Sequence, residues 1–352
     1  MRKKQYKIFA AIHLGSEMIS MQIVQYRNLN NMKVLEECNR RVRLGEETFK
    51  NKIIPFSMVN EISELLVGFK RLMTEYEVEE YSMQATTAVR EALNRVFLLD
   101  QIYIRTGLKV TVIDLPEEIY TKYASIRRTM KLDGLTGVDE SMLMMDISSG
   151  GLGITFVKDN IIRYQQNLNI GVIRVKESFN RNQRSSMKFN QALAEYLSST
   201  MGAVRDALKN EQIHYLVLTG AESELLLQMM GVEFKAGVIR IKTEQFMQLF
   251  KTVHELNLPQ IIKVFKINED VAELVVPTIL LYEQLLALVP VQEIILTDDR
   301  FIDGICLLHI GPKASKDYAD ELEQEQLSLL YSIGERYQYD EAHSRQGGKV
   351  AF

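Results

Sequence analysis

MLMMDISSGGLGITFVKDN, residues 142–160, is the stretch whose reading decides the fold. An apolar β-type run ends at Asp146, passes through Ser148, Ser149, Gly150 and Gly151, and resumes as an alternating strand, the pattern of a hairpin. Turns rich in Gly and Ser aim successive backbone N–H groups at one spot, which suits anionic oxygens, and a carboxylate beside them suits a metal bound to phosphate. The pattern also occurs earlier, as FAAIHLGSEMISMQIVQY at residues 9–26, where His13 is the pivot and Gly15 and Ser16 follow. A phosphate-type turn met twice predicts two similar halves, of which only one has an acid at its pivot.

The segments around the two hairpins repeat an order as well. After the first, residues 32–44 offer a third strand. A helix from Ser57, its predicted N-cap, puts Val59, Ile62, Leu65, Leu66, Phe69, Leu72 and Met73 on one stripe. A strand at 81–86, a helical stretch from Val89 to Arg105, a strand at 108–114 and a helix opening at Pro116 complete the first half. Gly134 and Gly137 break both periodicities between Met130 and Glu140, and the domain boundary is expected there. The second half starts over with strands near 141–147, 152–158 and 161–168, helices within 172–209 and a strand at 213–220. Helices through roughly 221–289 and a last strand at 293–299 follow. A duplicated βββ-α-β-α order of this kind matches the α/β architecture of actin-like ATPases, ribonuclease H-like in each half, with ligands in the cleft between two domains. The expected division is 1–132, 133–312 and a helical tail over 313–352, read as two helical pieces from Glu321 with a break near Gly334.

The chain has 352 residues, 46% hydrophobic and 25% charged, enough for two cores of ordinary size. Its 42 Lys and Arg against 46 Asp and Glu leave a net charge of −4, too even to attract nucleic acid or an anionic membrane in bulk, so any polyanion needs a local site. Cys38 and Cys306 build no disulfide framework, and the apolar run before His13 is shorter than a signal peptide requires. The greasiest stretch, LVVPTILLYEQLLALVPV from Leu274, is interrupted by Pro277, Glu283 and Gln284 and reads as a buried helix rather than a membrane span. A cytoplasmic protein with neither nucleic acid nor membrane as partner is expected. Cys306 and His309 form a C-x-x-H spacing with no second pair, too little for a zinc site.

Six segments carry a resemblance to a known family. ATTAVREALN (85–94), LPEEIYTKYASI (115–126) and MDISSGG (145–151) are its sharpest parts. LNIGVIRVKESF (168–179), LVLTGAESELL (216–226) and ILTDDRFIDGI (295–305) are softer. In order and spacing they resemble the exopolyphosphatase/guanosine pentaphosphate phosphohydrolase (Ppx/GppA) family over most of residues 7–312. The resemblance implies hydrolysis of a terminal phosphoanhydride, from inorganic polyphosphate or from guanosine pentaphosphate, with Mg²⁺ in the cleft. It implies that Glu118 orients the attacking water, that Arg90 contacts phosphate with Thr86 and Thr87 nearby, and that Asp146 holds the metal. The turns at Gly15, Ser16, Ser148, Ser149, Gly150 and Gly151 then grip phosphate. The tail resembles the opening of the helical HD-type domain of longer family members, and a homodimer is implied.

On residue chemistry alone these positions have plainer readings. Two acids directly after Pro116 suit the positive end of a helix dipole, Arg90 suits an ion pair with Glu91 or Asp100, and Arg174 suits either a polyanion or Glu177 on its own helix. The chain also departs from the family pattern. His13 and Gly153 stand where acids are expected, and Gly220-Ala221-Glu222 replaces Gly-Gly-Thr. Glu17, four residues beyond His13, is the candidate replacement carboxylate for a metal. Neutral imidazole suits softer ions than Mg²⁺, which makes Mn²⁺ the alternative metal. Two readings result: a Ppx/GppA-type phosphohydrolase, and a catalytically impaired sensor that binds polyphosphate or guanosine penta- or tetraphosphate. A kinase or chaperone-like ATPase of the same fold leaves the segments around Arg90 and Glu118 without a role.

Overall fold

The computed structural model describes residues 6–135, 141–179, 189–233, 237–336 and 338–340. Gly137 and the closing GGKVAF therefore lie outside the described residues. The first half opens with the meander β1 (Lys7–Leu14), β2 (Met18–Tyr26) and β3 (Met32–Arg41), followed by α1 (Leu44–Asn51) and α2 (Phe56–Glu75). Then come β4 (Glu80–Ala85), α3 (Thr87–Glu91), α4 (Arg95–Thr106), the short β5 (Thr111–Val112) and α5 (Leu115–Leu132). The second half repeats the meander as β6 (Ser141–Ile147), β7 (Leu152–Lys158) and β8 (Ile161–Leu168). It continues with α6 (Val172–Ser178), α7 (Phe189–Thr200), α8 (Gly202–Leu208), β9 (Tyr215–Thr219), α9 (Ala221–Met230), β10 (Val238–Lys242), α10 (Thr243–His254), α11 (Leu258–Phe265), α12 (Glu269–Leu288) and β11 (Glu293–Thr297). The last described helices are α13 (Phe301–Ala314) and α14 (Lys316–Arg336).

Two sheets result, ordered β3-β2-β1-β4-β5 and β10-β11-β9-β6-β7-β8. In each, an antiparallel three-strand meander meets parallel strands through its first member, β1 against β4 and β6 against β9. This is the duplicated actin-like architecture expected from the repeat. The central strands β1, β2 and β6 are buried along most of their length, as strands covered on both faces must be. Helices α2 and α4 supply one cover of the first sheet, through Ile62, Leu66, Phe69, Leu98 and Ile102. The other cover comes from far along the chain: Phe301, Ile302, Ile305 and Ile310 of α13 pack with Phe9, Ala11, Val24, Tyr26 and Ile113. Helix α13 thus lies on the first sheet although it falls in the segment expected with the second half.

Several elements differ in detail from the sequence reading. Helix α1 begins at Leu44, the last residue read into the third strand, and fills residues to which the sequence pattern gave no element. Pro55, rather than Ser57, stands at the N-cap of α2 and bonds through no side chain. The helical stretch after β4 is split in two because the Asn94 side chain bonds both the N–H and the C=O of Ile54, holding the chain out of helix between α3 and α4. VIRIK at β10 pairs antiparallel with β11 where helix was expected, a five-residue alternation easily lost between two helical patterns. Helix α14 runs through Gly334 without a break, and the interruption falls earlier, at Ser315.

The apolar stretch from Leu274 lies in α12, among the described residues the one helix long and apolar enough to cross a membrane. Its Val275, Ile279, Leu281, Tyr282 and Leu285 belong to the larger core. The Cys306 thiol is buried and donates to Gln22 Oε1 at 3.2 Å, while His309 stacks on Phe9 and pairs with Glu80, so the C-x-x-H spacing holds two separate contacts.

Helix α5 joins the halves, and its start is locally encoded: Asp114 accepts from the Glu117 N–H at 2.9 Å and Pro116 fills the first turn. Helix α13 crosses it at Gly304, where a Cβ would stand 2.1 Å from the Thr121 carbonyl oxygen. Only a glycine lets the two backbones approach so closely. Gly304→Ala is expected to destabilise the protein by about 3 kcal/mol, the upper end for overpacking against rigid backbone, read as a fall in the urea midpoint; an unchanged midpoint would show that α13 can slide.

Candidate active site

The two hairpins match residue for residue. His13 is the penultimate residue of β1 and pairs with Ser20; Asp146 is the penultimate residue of β6 and pairs with Gly153. The ladders close at Leu14↔Ile19 and Ile147↔Leu152, and each turn is pinned by one equivalent bond, Gly15 N–H to Met18 O at 3.0 Å and Ser148 N–H to Gly151 O at 2.9 Å. Neighbouring backbone consumes the turn carbonyls. Gly45 N–H donates to Ser16 O and Val42 N–H to Glu17 O, while Val172 N–H and Arg174 N–H donate to Ser148 O and Ser149 O. The N–H groups of Ser16, Glu17, Ser149 and Gly150 make no backbone hydrogen bond among the described residues. Each turn therefore keeps two adjacent donors, the arrangement that favours an anion.

A cavity of about 490 Å³ lies between the turns, walled by Gly15, Ser16 and Glu17 from one hairpin and Asp146, Ser148 and Ser149 from the other. Thr86, Thr87, Glu118 and Lys122 also line it, with Arg41, Glu224 and Gln228. Glu118 is held by Arg90, whose Nη1 donates to Oε2 at 2.8 Å and to Ile113 O at 2.9 Å. Thr87 completes the clasp, donating to Glu118 at 3.2 Å while accepting from Arg90 Nη2 at 2.9 Å. Burial pushes the Glu118 carboxyl above the ordinary carboxylate range, and the Arg90 charge only partly offsets it. Arg90 pairs with neither Glu91 nor Asp100; it stands behind Glu118 and positions it.

Helix α5 brings a second group to the cavity one turn after Glu118. Lys122 Nζ lies 3.2 Å from Asp146 Oδ1, a buried oxygen with no aligned hydrogen bond among the described residues. Ser125 and Thr129, further along the same face of α5, both donate to Asp299 Oδ1, at 2.5 and 2.9 Å, and so lock the helix to the end of β11. His13 contacts Thr86 Oγ1 at 3.1 Å and packs on the Phe301 ring at 4.5 Å. Burial, with Lys122 adding to it, pushes the His13 imidazole down to about 3, so it is neutral at physiological pH and offers phosphate no charge.

The donor set suits Mg²⁺ poorly. That ion wants near-ideal octahedral oxygen ligation, and among the described residues no three His, Cys, Asp or Glu side chains gather as a ligand group. Position 13 offers a neutral imidazole and position 153 no side chain, although a Cβ there would find space at 3.5 Å from Ile119 and 3.9 Å from Asp146. Asp146 already faces an ammonium. Glu17 reaches across the cleft and accepts from Ser149 Oγ at 2.5 Å, so its carboxylate joins the two turns.

The remaining expected residues divide between cavity wall and support. Gly150 and Gly151 stand in the turn but behind the wall, where a Cβ would strike Phe49 and Thr87 or Asn167. Arg174 donates to Gly150 O at 2.7 Å, pairs with Glu91 across the halves and covers the Phe49 ring at 4.4 Å; it does not meet Glu177 or the cavity. It buttresses the second turn. Lys122 and Arg41 are the cations on the cavity wall, and the sequence reading singled out neither. Lys122 was findable as the i+4 neighbour of Glu118 on one helix face, and Arg41 as the strand residue that pairs with Met18 beside the first turn.

Fold and cleft together define a two-lobed α/β protein of the actin-like class, with matched turns facing each other across a polar cavity. The Ppx/GppA phosphatase family profile matches residues 22–307, and the chain belongs to that family. It is 22% identical over 353 residues to a guanosine-5′-triphosphate,3′-diphosphate pyrophosphatase of Vibrio atlanticus, covering 98% of this chain and 66% of that protein. It is 23% identical over 176 residues to a bifunctional 3-dehydroquinate synthase/phosphatase of Fusobacterium nucleatum, covering 48% of this chain and 26% of that protein. The chain thus spans less than two thirds of the length of either relative. Among solved structures it resembles an exopolyphosphatase from Cytophaga hutchinsonii, with TM-score 0.76, 19% identity, and 86% of this chain and 98% of that one covered. A Ppx/GppA family member from Aquifex aeolicus aligns with TM-score 0.72 and 20% identity over 87% of this chain and 98% of that one. At such identities the likeness is one of fold.

The clasp on Glu118 makes a direct prediction. Arg90→Leu leaves a largely enclosed carboxylate without its cation and is expected to cost about 2–4 kcal/mol of unfolding free energy, with Arg90→Lys recovering part; equal stability of Arg90→Leu and wild type would mean that the pair contributes nothing.

Proposed function

We propose that this chain is a phosphoanhydride hydrolase of the Ppx/GppA type, releasing terminal phosphate from inorganic polyphosphate or from guanosine pentaphosphate. The observation that carries the reading is Glu118, a carboxylate on the cavity wall with both oxygens engaged by Thr87 and one by Arg90. A carboxylate fixed in this way can accept a proton from a water molecule between itself and the terminal phosphorus. The water oxygen bonds to phosphorus, the bridging P–O bond breaks, and the proton held on Glu118 leaves with the released phosphate. Its raised proton affinity makes Glu118 a better base than an exposed carboxylate, provided the pH keeps it ionised. Ser16, Glu17 and Ser149, which line the cavity, present N–H donors to the phosphoryl oxygens, in the manner of an oxyanion hole. Arg41 at the end of β3 guides further phosphates of an extended ligand.

A second reading has its own support: a sensor that binds polyphosphate or guanosine penta- or tetraphosphate without turnover. Uncharged groups at His13 and Gly153, together with the Glu17 carboxylate opposite Ser149, favour it. Phosphate release separates the two readings. Glu118→Gln is expected to lower release from polyphosphate by roughly 100-fold or more while leaving binding of the polymer intact. As pH falls, activity is expected to drop at a value above the ordinary glutamate range of about 4.3, because the base form is lost as pH passes down through the raised value. Wild-type binding without any release from either substrate would favour the sensor, and full activity in Glu118→Gln would remove Glu118 from the mechanism.

A further inference from the structure

Lys122 is the cavity group that the hydrolysis reading leaves without a task. Its side chain is only 12% exposed, yet it reaches the floor of the cleft and sets its ammonium 3.2 Å from Asp146 Oδ1. The helix that carries it is fixed on both sides, by the Thr121–Gly304 backbone contact and by Ser125 and Thr129 on Asp299. The ammonium is therefore held in place rather than waving in solvent. It lines the same cavity as Ser16, Ser148 and Ser149, beside the turn donors, and its neighbours at positions 13 and 153 supply no carboxylate.

This arrangement does two things that a bound divalent ion does. It neutralises Asp146, so that an anion meets no net repulsion at the pivot of the second turn. It also leaves donors to spare, since an ammonium has three N–H groups and Asp146 engages it through one oxygen. Recruiting an ion would require a group of carboxylates that the site does not gather among the described residues. We propose that Lys122 is the resident cation of this cleft: its ammonium, held by Asp146, binds the phosphate oxygens delivered between the two turns and makes that binding independent of a divalent metal. The inference rests on the phosphate reading of the cleft and adds to it the cation that serves it.

Calorimetric titration with inorganic tripolyphosphate tests this, with and without EDTA and with and without excess Mg²⁺. Wild type is expected to bind in EDTA with an affinity within about threefold of that in Mg²⁺, and Lys122→Met to bind in EDTA at least tenfold more weakly, the loss of one charge-assisted contact. Lys122→Arg, which keeps the cation, is expected to retain most of the wild-type affinity, and thermal unfolding of both variants controls for folding. Binding by wild type only when Mg²⁺ is present, or equal binding by wild type and Lys122→Met in EDTA, overturns the role of Lys122 and leaves the phosphate reading standing. No binding under any condition overturns both.

Discussion

Helix α5 is clamped along its whole length, and the cleft exists in its present form because of it. At one end Asp114 caps the helix; in the middle Thr121 admits Gly304 of α13 against its backbone; further on, Ser125 and Thr129 hold Asp299 at the end of the second sheet. A further face is tied to α14, where Tyr120 donates to Glu325 and Arg127 pairs with Glu321 and Glu325. Glu118 and Lys122 ride on this one rigid rod, a turn apart. Because displacements of about 1 Å are enough to ruin positioning in a reaction centre, such a rod is the natural carrier for both groups.

Against this rod the two hairpins have diverged in chemistry while keeping their geometry. The first turn ends in a neutral imidazole packed on an aromatic ring, the second in a carboxylate neutralised by a tethered ammonium. Among the described residues both keep N–H donors with no backbone partner, while the carbonyls of each are taken up by flanking backbone. A site so built has its attraction for anions in backbone dipoles and fixed side-chain charge. Arg90, which the family resemblance sends to phosphate, braces Glu118, and Arg174, read as suiting either a polyanion or Glu177, braces the second turn.

Most of the architecture was legible because it is carried by local periodicity and repeated. Apolar runs that end at a polar pivot and a Gly/Ser turn are recoverable from a single chain, and the matched registers of the two hairpins explain why the repeat was visible. The features missed are those without local signal. VIRIK at β10 becomes a strand through its partner β11, the break at Asn94 depends on a distant Ile54 backbone, and Ser57 lost its capping place to Pro55. At the site, the resemblance sends Arg90 to a ligand, whereas its guanidinium stands behind Glu118 and bonds it, because a sequence shows charge but not direction. Lys122 has no local signal of its role either, because no pattern within LPEEIYTKYASI states that Asp146 will face it.

The return of α13 to the first sheet has a consequence for how the chain is made. The first sheet emerges from the ribosome early, but the apolar face formed by Phe9, Ala11, Val24, Tyr26 and Ile113 stays uncovered until Phe301, Ile302, Ile305 and Ile310 have been synthesised. At ~5–20 residues per second that delay lasts on the order of ten seconds to over half a minute. The nascent amino-terminal half is thus a natural client for chaperones, and a fragment ending at residue 132 would carry that sticky face permanently.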